Sequence, residues 1–175
     1  TVEFREERAA RVVLLLDARE SAYVSPTPAD VHAVDRSVEA AGRLYATLTA
    51  AGNRVGVAAV GADDCWLPPG AGIDHETAVR ELLATHPALT PVPREPRSSS
   101  ARWEDRFRRR LTGGTQVVLL TPLVDDAGAR LARRFEAYGF PVTVLSPDPT
   151  ADRTSGNRLT RVARTLRASE LRRAG

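Results

Sequence analysis

The chain contains no lysine and no methionine, and both absences narrow what it can be. All 25 of its basic residues are arginine. A phosphate-binding P-loop, a kinase-type nucleotide site and a Schiff-base enzyme each need a lysine ammonium group, so these three classes are excluded. Because its 175 residues begin without methionine, we expect residues 1–175 to form a single domain cut from a longer protein.

Soft metal ligands and long apolar runs are also scarce. Cys65 is the one cysteine, so no internal disulfide can form, and a cytoplasmic location is the simpler expectation. His32, His75 and His86 are scattered without a second soft ligand nearby, which argues against a structural zinc site. No apolar run approaches the ~20 residues that span a bilayer, so we expect no direct membrane contact.

The net charge of +3 is unevenly distributed along the chain. Residues 1–93 carry 8 arginines and 13 acidic residues, whereas residues 94–175 carry 17 arginines and 9 acidic residues. A basic half can indicate that a domain binds nucleic acid or an acidic surface of a partner protein. These arginines alternate with apolar positions at helical spacing, however, so solvated helix faces explain them without such a partner.

Apolar runs alternate with amphipathic stretches along the whole chain. Buried strands are predicted at 11–17, 54–61 and 116–121, a further strand at 141–146, and a short edge strand at Trp66-Leu67. A helix after Ser25 is predicted to begin with Thr27 as its N-cap, Pro28 at its first position and Val31 on its apolar face. A second helix is predicted to be capped by Asp74.

Three further helices are predicted in the second half. The first places Trp103, Phe107 and Leu111 on one face, and the second is capped by Asp125 or Asp126. In the second of these helices, Leu131, Phe135 and Tyr138 are predicted to point inward. The last helix is rich in arginine and is predicted to open with Leu159, Val162 and Leu166.

This order predicts an α/β fold, a doubly wound, mostly parallel sheet with helices on both faces. Ligands of such sheets bind beyond the carboxyl ends of the strands, where strand order reverses. Function is therefore expected in the loops after Asp17, Gly61, Thr121 and Ser146.

Common catalytic motifs are absent from these loops. The turn after the first strand has no glycine, which excludes a dinucleotide fingerprint, and the chain has no Gly-x-Ser-x-Gly nucleophile elbow. A phosphoaspartate enzyme of the dehalogenase type would need a second aspartate where Arg19 stands, and a response regulator would need a lysine. We therefore expect Asp17 to have no catalytic role and the chain not to be an enzyme.

Asp17-x-Arg19-x-Ser21 resembles a degraded Asp-x-Ser-x-Ser motif, which opens the metal-ion-dependent adhesion site of von Willebrand factor A domains. Other stretches resemble one branch of that superfamily, the prokaryotic domain-of-unknown-function family 58. They are Glu3-Phe-Arg-Glu-Glu-Arg8, Asn53-Arg-Val-Gly-Val57, Trp66-Leu-Pro-Pro-Gly70, Val117-Val-Leu-Leu-Thr-Pro-Leu123 and Tyr138-Gly-Phe-Pro-Val-Thr-Val-Leu-Ser-Pro147. The resemblance implies a Rossmann-like, three-layer fold.

In that family one carboxylate and two hydroxyls offer hard oxygen ligands to Mg²⁺. Here Arg19 replaces the first hydroxyl, and a guanidinium cannot ligate a cation. The family's Thr-Asp-Gly turn is Thr121-Pro122-Leu123, so a second carboxylate is lost, while Asp125 is expected only to cap a helix. The degenerate positions are Asp17, Arg19, Ser21 and Thr121. We expect no bound metal or cofactor, and an internal salt bridge between Arg19 and Asp17 in its place.

The resemblance implies a non-enzymatic protein-interaction module that works with a MoxR-type AAA+ ATPase in assembling or activating other complexes, within a parent protein that is often membrane-anchored. We expect the partner to contact Glu20, Tyr23 and Trp66, placed by the sequence in the loops at the carboxyl ends of the strands. The alternative is a basic α/β domain that binds nucleic acid or a nucleotide through its second half.

Overall fold

The computed structural model describes residues 9–25, 30–90, 100–148 and 155–174. Within them a five-stranded sheet forms from the apolar runs that predict strands. The strands are β1 (Arg11–Leu16), β2 (Arg54–Ala59), β3 (Ala62–Gly70), β4 (Gln116–Leu120) and β5 (Val142–Leu145). β1, β2 and β4 are buried along almost their whole length, as expected for strands covered on both faces.

The strand order β3-β2-β1-β4-β5 makes the sheet doubly wound. β1 pairs in parallel with β2 on one side and with β4 on the other, and β4 pairs in parallel with β5. The chain winds outward from β1 to one edge and then returns to build the other. The switch point therefore lies between the carboxyl ends of β1 and β4.

β3 is the antiparallel exception, joined to β2 by a tight turn at Gly61, whose φ of 81° favours glycine. It is far longer than the Trp66-Leu67 segment that the sequence predicts. The strand also approaches β2 very closely, because a Cβ on Gly56 would lie 2.6 Å from the carbonyl oxygen of Leu67. Glycine is therefore required at position 56.

In the part of the chain that the structure describes, five α-helices flank the two faces of the sheet. They are α1 (Ala33–Ala50), α2 (Ile73–Thr85), α3 (Ser100–Arg110), α4 (Asp126–Ala137) and α5 (Ser155–Ala174). One apolar core lies between the sheet and α1 with α2, and includes Leu14, Tyr45 and Val79. The other lies between the sheet and α3 with α4, and includes Leu15 and Phe135. The predicted three-layer α/β architecture is confirmed.

The predicted beginnings of two helices are wrong. α1 begins at Ala33 behind His32, so Val31 lies outside the helix and is 56% exposed. The predicted cap at Thr27 and Pro28 lies outside the described residues. α2 begins at Ile73 behind Gly72, so Asp74 is a first-turn residue rather than the cap. An acidic residue is favourable both as the N-cap and within the first turn of a helix. The position of an aspartate therefore does not fix the residue at which the helix begins.

Of the apolar side chains on which the last two helices are predicted, three are exposed. Tyr138 is the C-cap of α4 rather than part of its inner face, and it is 46% exposed. Val162 and Leu166 of α5 are about 60% exposed. Among the described helices, none combines the length and hydropathy needed to cross a membrane.

Candidate functional site

The carboxyl ends of β1 and β4 bring Asp17 and Thr121 together at the switch point. The backbone N–H of Asp17 donates to Leu120 O at 2.8 Å and continues the ladder between these strands. Thr121 Oγ1 donates to Asp17 Oδ2 at 2.7 Å, and each residue is only 1% exposed. A carboxylate buried this deeply requires a compensating charge.

Arg19 supplies that charge through a bidentate contact. Its Nε donates to Asp17 Oδ1 at 2.8 Å and one terminal nitrogen donates to Asp17 Oδ2 at 2.6 Å, while its backbone N–H lies 3.3 Å from Oδ1. Planar guanidinium and carboxylate groups match in this geometry. The Arg19–Asp17 salt bridge expected from the sequence is therefore confirmed.

Asp125 and Ser21 complete the group. Asp125 caps α4 by accepting from the backbone N–H groups of Ala127 and Gly128, as predicted, and also lies 3.6 Å from an Arg19 nitrogen. Only a capping role is predicted for Asp125 from the sequence, so its place beside Arg19 is a finding of the structure. The Ser21 side chain helps to lower the pKa of Asp125, so the two degenerate positions Arg19 and Ser21 both act on this carboxyl group.

The charges within the group shift two pKa values. Burial alone would lower the pKa of Arg19, but its hydrogen bonds to Asp17 and the charges of Asp17 and Asp125 outweigh burial and raise it. Partial burial would raise the pKa of Asp125, but the Ser21 hydrogen bond, the Arg19 charge and two backbone N–H donors lower it. Both groups are therefore held in their charged forms.

These residues do not fit a divalent cation. Both oxygens of Asp17 are already engaged, by Arg19 on one side and by Arg19 with Thr121 on the other. A cation that bound Asp17 would have to displace a guanidinium of its own charge sign. No group of three or more histidine, cysteine, aspartate or glutamate side chains placed to hold a metal occurs in the described parts of the chain. That the site binds no metal remains a prediction.

The Thr121-Pro122-Leu123 turn is held by α5. Leu123 has a φ of 54°, uncommon for a leucine, and its side chain is buried. Arg164 Nε donates to Pro122 O at 3.1 Å, and Arg167 donates to the carbonyl oxygens of Leu123 and Val124 at 3.2 and 3.1 Å. The two arginines satisfy the carbonyls of this strained turn, which lies directly beside Asp17.

Gly128 of α4 also contacts the site. A Cβ at this position would lie 2.7 Å from Thr121 Oγ1, the atom that donates to Asp17. The missing side chain gives the Thr121 hydroxyl its room. Nothing in the sequence pattern singles out this glycine, whereas Asp125 could have been linked to the site by its position just beyond the β4 turn.

The three predicted partner contacts do not lie together. Glu20 is exposed and opens the short 3-10 turn Glu20–Ala22 after β1. Tyr23 follows it and is half-buried, with its hydroxyl 3.3 Å from Ala88 O. The prediction that places Trp66 in a loop at the carboxyl ends of the strands is wrong, whereas the prediction of an edge strand at Trp66-Leu67 is confirmed. Trp66 lies within β3, packs against Phe107 of α3, and lines a pocket at the opposite, amino ends of the parallel strands.

The lowered pKa of Asp125 predicts a pH effect on stability. Because the folded-state pKa lies below the unfolded one, the ionised group stabilises the fold above its ordinary pKa of ~3.9, and this contribution is lost as pH falls further. Asp125→Asn keeps a capping oxygen but loses the charge. We expect this variant to have a lower free energy of unfolding in urea at pH 7 than the unmodified protein. The difference between the two proteins, the deficit, is expected to shrink toward pH 3.

Asp74→Asn is the matched control, since Asp74 is an exposed acidic residue in the first turn of another helix. Its deficit is expected to be smaller at pH 7. A deficit for Asp125→Asn that is unchanged between pH 7 and pH 3 would contradict the assigned role of the charge.

No protein-family model matches the chain, and no curated protein matches it in sequence. Among solved structures, the chain is similar to the conserved hypothetical protein BatB from Bacteroides thetaiotaomicron. The two share 19% sequence identity with a TM-score of 0.50, over 83% of this chain and 73% of that chain. At this identity the likeness concerns the fold alone. Together with the sheet order and the helices on both faces, it shows a von Willebrand factor A-like α/β fold.

Proposed function

We propose that this chain is a non-enzymatic protein-interaction module whose partner binds the loops at the carboxyl ends of β1 and β4. This end of the sheet is called the carboxyl edge below. The observation that carries the proposal is the closed network of Asp17, Arg19, Thr121 and Asp125 at the switch point. Their charged groups bind one another instead of pointing into a cavity. Such a network fixes the shape of the surrounding loops, which is what a recognition surface needs.

The surroundings of the three histidines and of Cys65 support the non-enzymatic part of this proposal. Among the described contacts, His32 Nδ1 and His75 Nε2 face backbone carbonyl oxygens, and His86 Nδ1 faces a backbone N–H. The Cys65 thiol is buried, and burial raises its pKa to about 12, which keeps it protonated at neutral pH. These groups are not arranged as a nucleophile beside its base.

The charge of the carboxyl edge favours a partner with a basic surface. Glu20 is exposed there and Asp125 is part-exposed, while Arg19 is engaged by Asp17 and Asp125, and the exposed Asp126 is paired with Arg167. Opposite charge across an interface speeds association and selects the partner. We further propose, from the resemblance in the sequence, that this partner is a MoxR-type AAA+ ATPase.

Nucleic-acid binding is the weaker alternative, because many arginines of the basic half contact the chain itself. Arg164 and Arg167 point at backbone carbonyls, and Arg167 also pairs with Asp126. Further ion pairs join Arg133 to Glu170, Arg134 to Glu104, and both Arg108 and Arg109 to Asp105. Guanidinium groups used in this way are less available for a phosphate backbone.

The proposed contact can be tested with a MoxR-type ATPase from the same cell and two variants of the loop after β1. Glu20→Arg and Tyr23→Ala are each expected to weaken binding about tenfold, because interface anchors contribute on the order of 1–2 kcal/mol. Arg109→Glu and Arg130→Glu, on exposed positions of α3 and α4, are controls expected to leave the affinity within about twofold. Calorimetry gives the affinities, and circular dichroism confirms folding.

The outcome that rejects the loop surface is loss of binding in the arginine variants with the loop variants unaffected. Titration with duplex DNA at two salt concentrations tests the alternative. Specific binding that weakens steeply with added salt would favour the nucleic-acid function, since each phosphate contact releases a counterion.

A further inference from the structure

A pocket of about 190 Å³ opens at the amino edge of the sheet, at the opposite end of the strands from Asp17. It is formed where β1 and β2 begin, where α3 ends, and where β3 runs past Pro68 and Pro69. The residues that line it are Arg11, Arg54, Trp66, Pro68, Pro69, Arg110, Leu111, Thr112 and Thr115. No part of the proposed interaction surface contributes to this pocket.

Three arginines from three separate elements converge on this pocket. Arg11 begins β1, Arg54 begins β2 and is exposed, and Arg110 is the last residue of α3. The residues that line the pocket, all within the described chain, include no aspartate or glutamate. Since arginine keeps its proton at any physiological pH, the three guanidinium groups concentrate positive charge at the pocket, and this charge favours an anionic ligand.

The contacts of two of these arginines hold them at the pocket. Arg11 donates to Thr112 Oγ1 at 3.0 Å, and Thr112 Oγ1 lies 3.2 Å from Thr115 Oγ1. The guanidinium carbon of Arg110 lies 5.7 Å from the centroid of the Trp66 ring. The hydroxyls add hydrogen-bonding groups beside the guanidinium groups. Such preorganisation lowers the entropy lost on binding.

We propose that this pocket binds a small phosphate monoester. The guanidinium groups of Arg11, Arg54 and Arg110 supply N–H donors for the oxygens of a dianionic phosphate, which arginine can bind in bidentate fashion. Trp66, Pro68, Pro69 and Leu111 form an apolar wall for the group esterified to the phosphate. A volume below the ~300–1,000 Å³ of drug-sized sites limits that group to about one ring.

The probe for this site is phenyl phosphate, titrated into the full chain at low ionic strength. We expect saturable binding and a shift of the Trp66 indole N–H resonance in the NMR spectrum. This resonance is assigned by its absence from the spectrum of Trp66→Phe. Inorganic phosphate is expected to bind several-fold more weakly because it lacks the ring, and phenol not to bind measurably. A phosphotyrosine pentapeptide that binds tighter than phenyl phosphate would identify a phosphorylated side chain, rather than a free metabolite, as the source of the phosphate.

Arg54→Gln tests the role of the charge. We expect about tenfold weaker binding, which corresponds to about 1.4 kcal/mol, because the variant removes a charge-assisted hydrogen bond to the phosphate. Arg109→Gln is the matched control: it removes the same charge from the last turn of α3 but from a residue that pairs with Asp105 outside the pocket. It is expected to change the affinity less than twofold.

Absence of saturable phenyl phosphate binding would overturn the proposal. Equal weakening by Arg54→Gln and Arg109→Gln would also overturn it, since that result indicates attraction by the net charge of the domain alone. Either result leaves the proposed interaction at the carboxyl edge untouched, because the two sites share no residue.

Discussion

Replacing Arg19 with alanine is expected to destabilise the fold by about 3 kcal/mol, the lower end of the range for removing one partner of a buried ion pair. The Asp17 carboxyl group, which is 1% exposed, would be left with only the Thr121 hydroxyl and a backbone N–H as hydrogen-bond donors. The lower end applies because the Arg19 side chain is 23% exposed and water can partly replace it. Urea unfolding measures the loss.

The double variant Asp17→Asn with Arg19→Ala separates the charge from the packing. Its stability is expected to exceed that of Arg19→Ala alone, because a neutral amide no longer needs a counter-charge and can still accept from Thr121. Arg80→Ala, which breaks an exposed pair with Glu76, is the control and should cost less than about 1 kcal/mol. A double variant less stable than Arg19→Ala would refute the view that Arg19 compensates the buried Asp17 charge.

Replacing Phe107 with alanine is expected to cost about 3–5 kcal/mol, because this ring lies at the centre of the aromatic cluster in the second core. Phe107 stacks on Trp103 with ring centroids 5.0 Å apart and meets Trp66 and Phe135 edge-to-face at 5.6 and 5.3 Å. A cavity there removes contacts from α3, β3 and α4 together. Urea or thermal unfolding, monitored by circular dichroism, gives the change.

Phe107→Leu keeps most of the volume and is expected to cost less than half as much. Tyr138→Ala is the second control, because that ring is 46% exposed and its loss should cost about 1 kcal/mol or less. If Phe107→Ala proved no more destabilising than Tyr138→Ala, the aromatic cluster would not be the main link between α3 and the sheet.

Features that depend on local periodicity could be predicted from the sequence. The buried runs at β1, β2 and β4 and the helical face of Trp103 and Phe107 involve residues close together in the chain, and burial follows from their hydropathy. Helix starts were less predictable. Val31 continues the apolar pattern of α1 yet lies before its first turn, because the pattern does not fix where the first helical hydrogen bond forms.

The contacts of the candidate site also include some that could be predicted from the sequence and others that could not. Arg19 lies two residues from Asp17, so their pairing could be predicted from adjacency and charge. The contacts of Asp17 with Thr121 and of Arg19 with Asp125 span more than a hundred residues, and only the pairing of β1 with β4 brings them together. For Gly128 the relevant property is the absence of a side chain, which carries no chemical signal in a sequence.

Trp66 illustrates a different reason for a wrong prediction. Its neighbours Pro68 and Pro69 favour a loop or a strand edge, and the strand continues through both because β3 is the outermost strand, where missing N–H donors cost little. Similarly, Arg164 and Arg167 were expected on a solvated helix face. Their targets are carbonyl oxygens of a strained turn, and such a turn cannot be recognised before the backbone conformation of Leu123 is known.

The central position of β1 has a consequence for how the chain folds as it is synthesised. Val12 pairs with Val55 on one side, but its partner on the other side, Gln116, is made much later. A ribosome-bound chain that ends near residue 90 can assemble β1, β2 and β3 under α1 and α2, yet β1 keeps an open edge and the opposite face of the sheet is bare. Open edges and bare faces attract other chains, so this interval is the one in which a chaperone would matter most. Pairing of β4 with β1 closes this edge and brings Thr121 to Asp17.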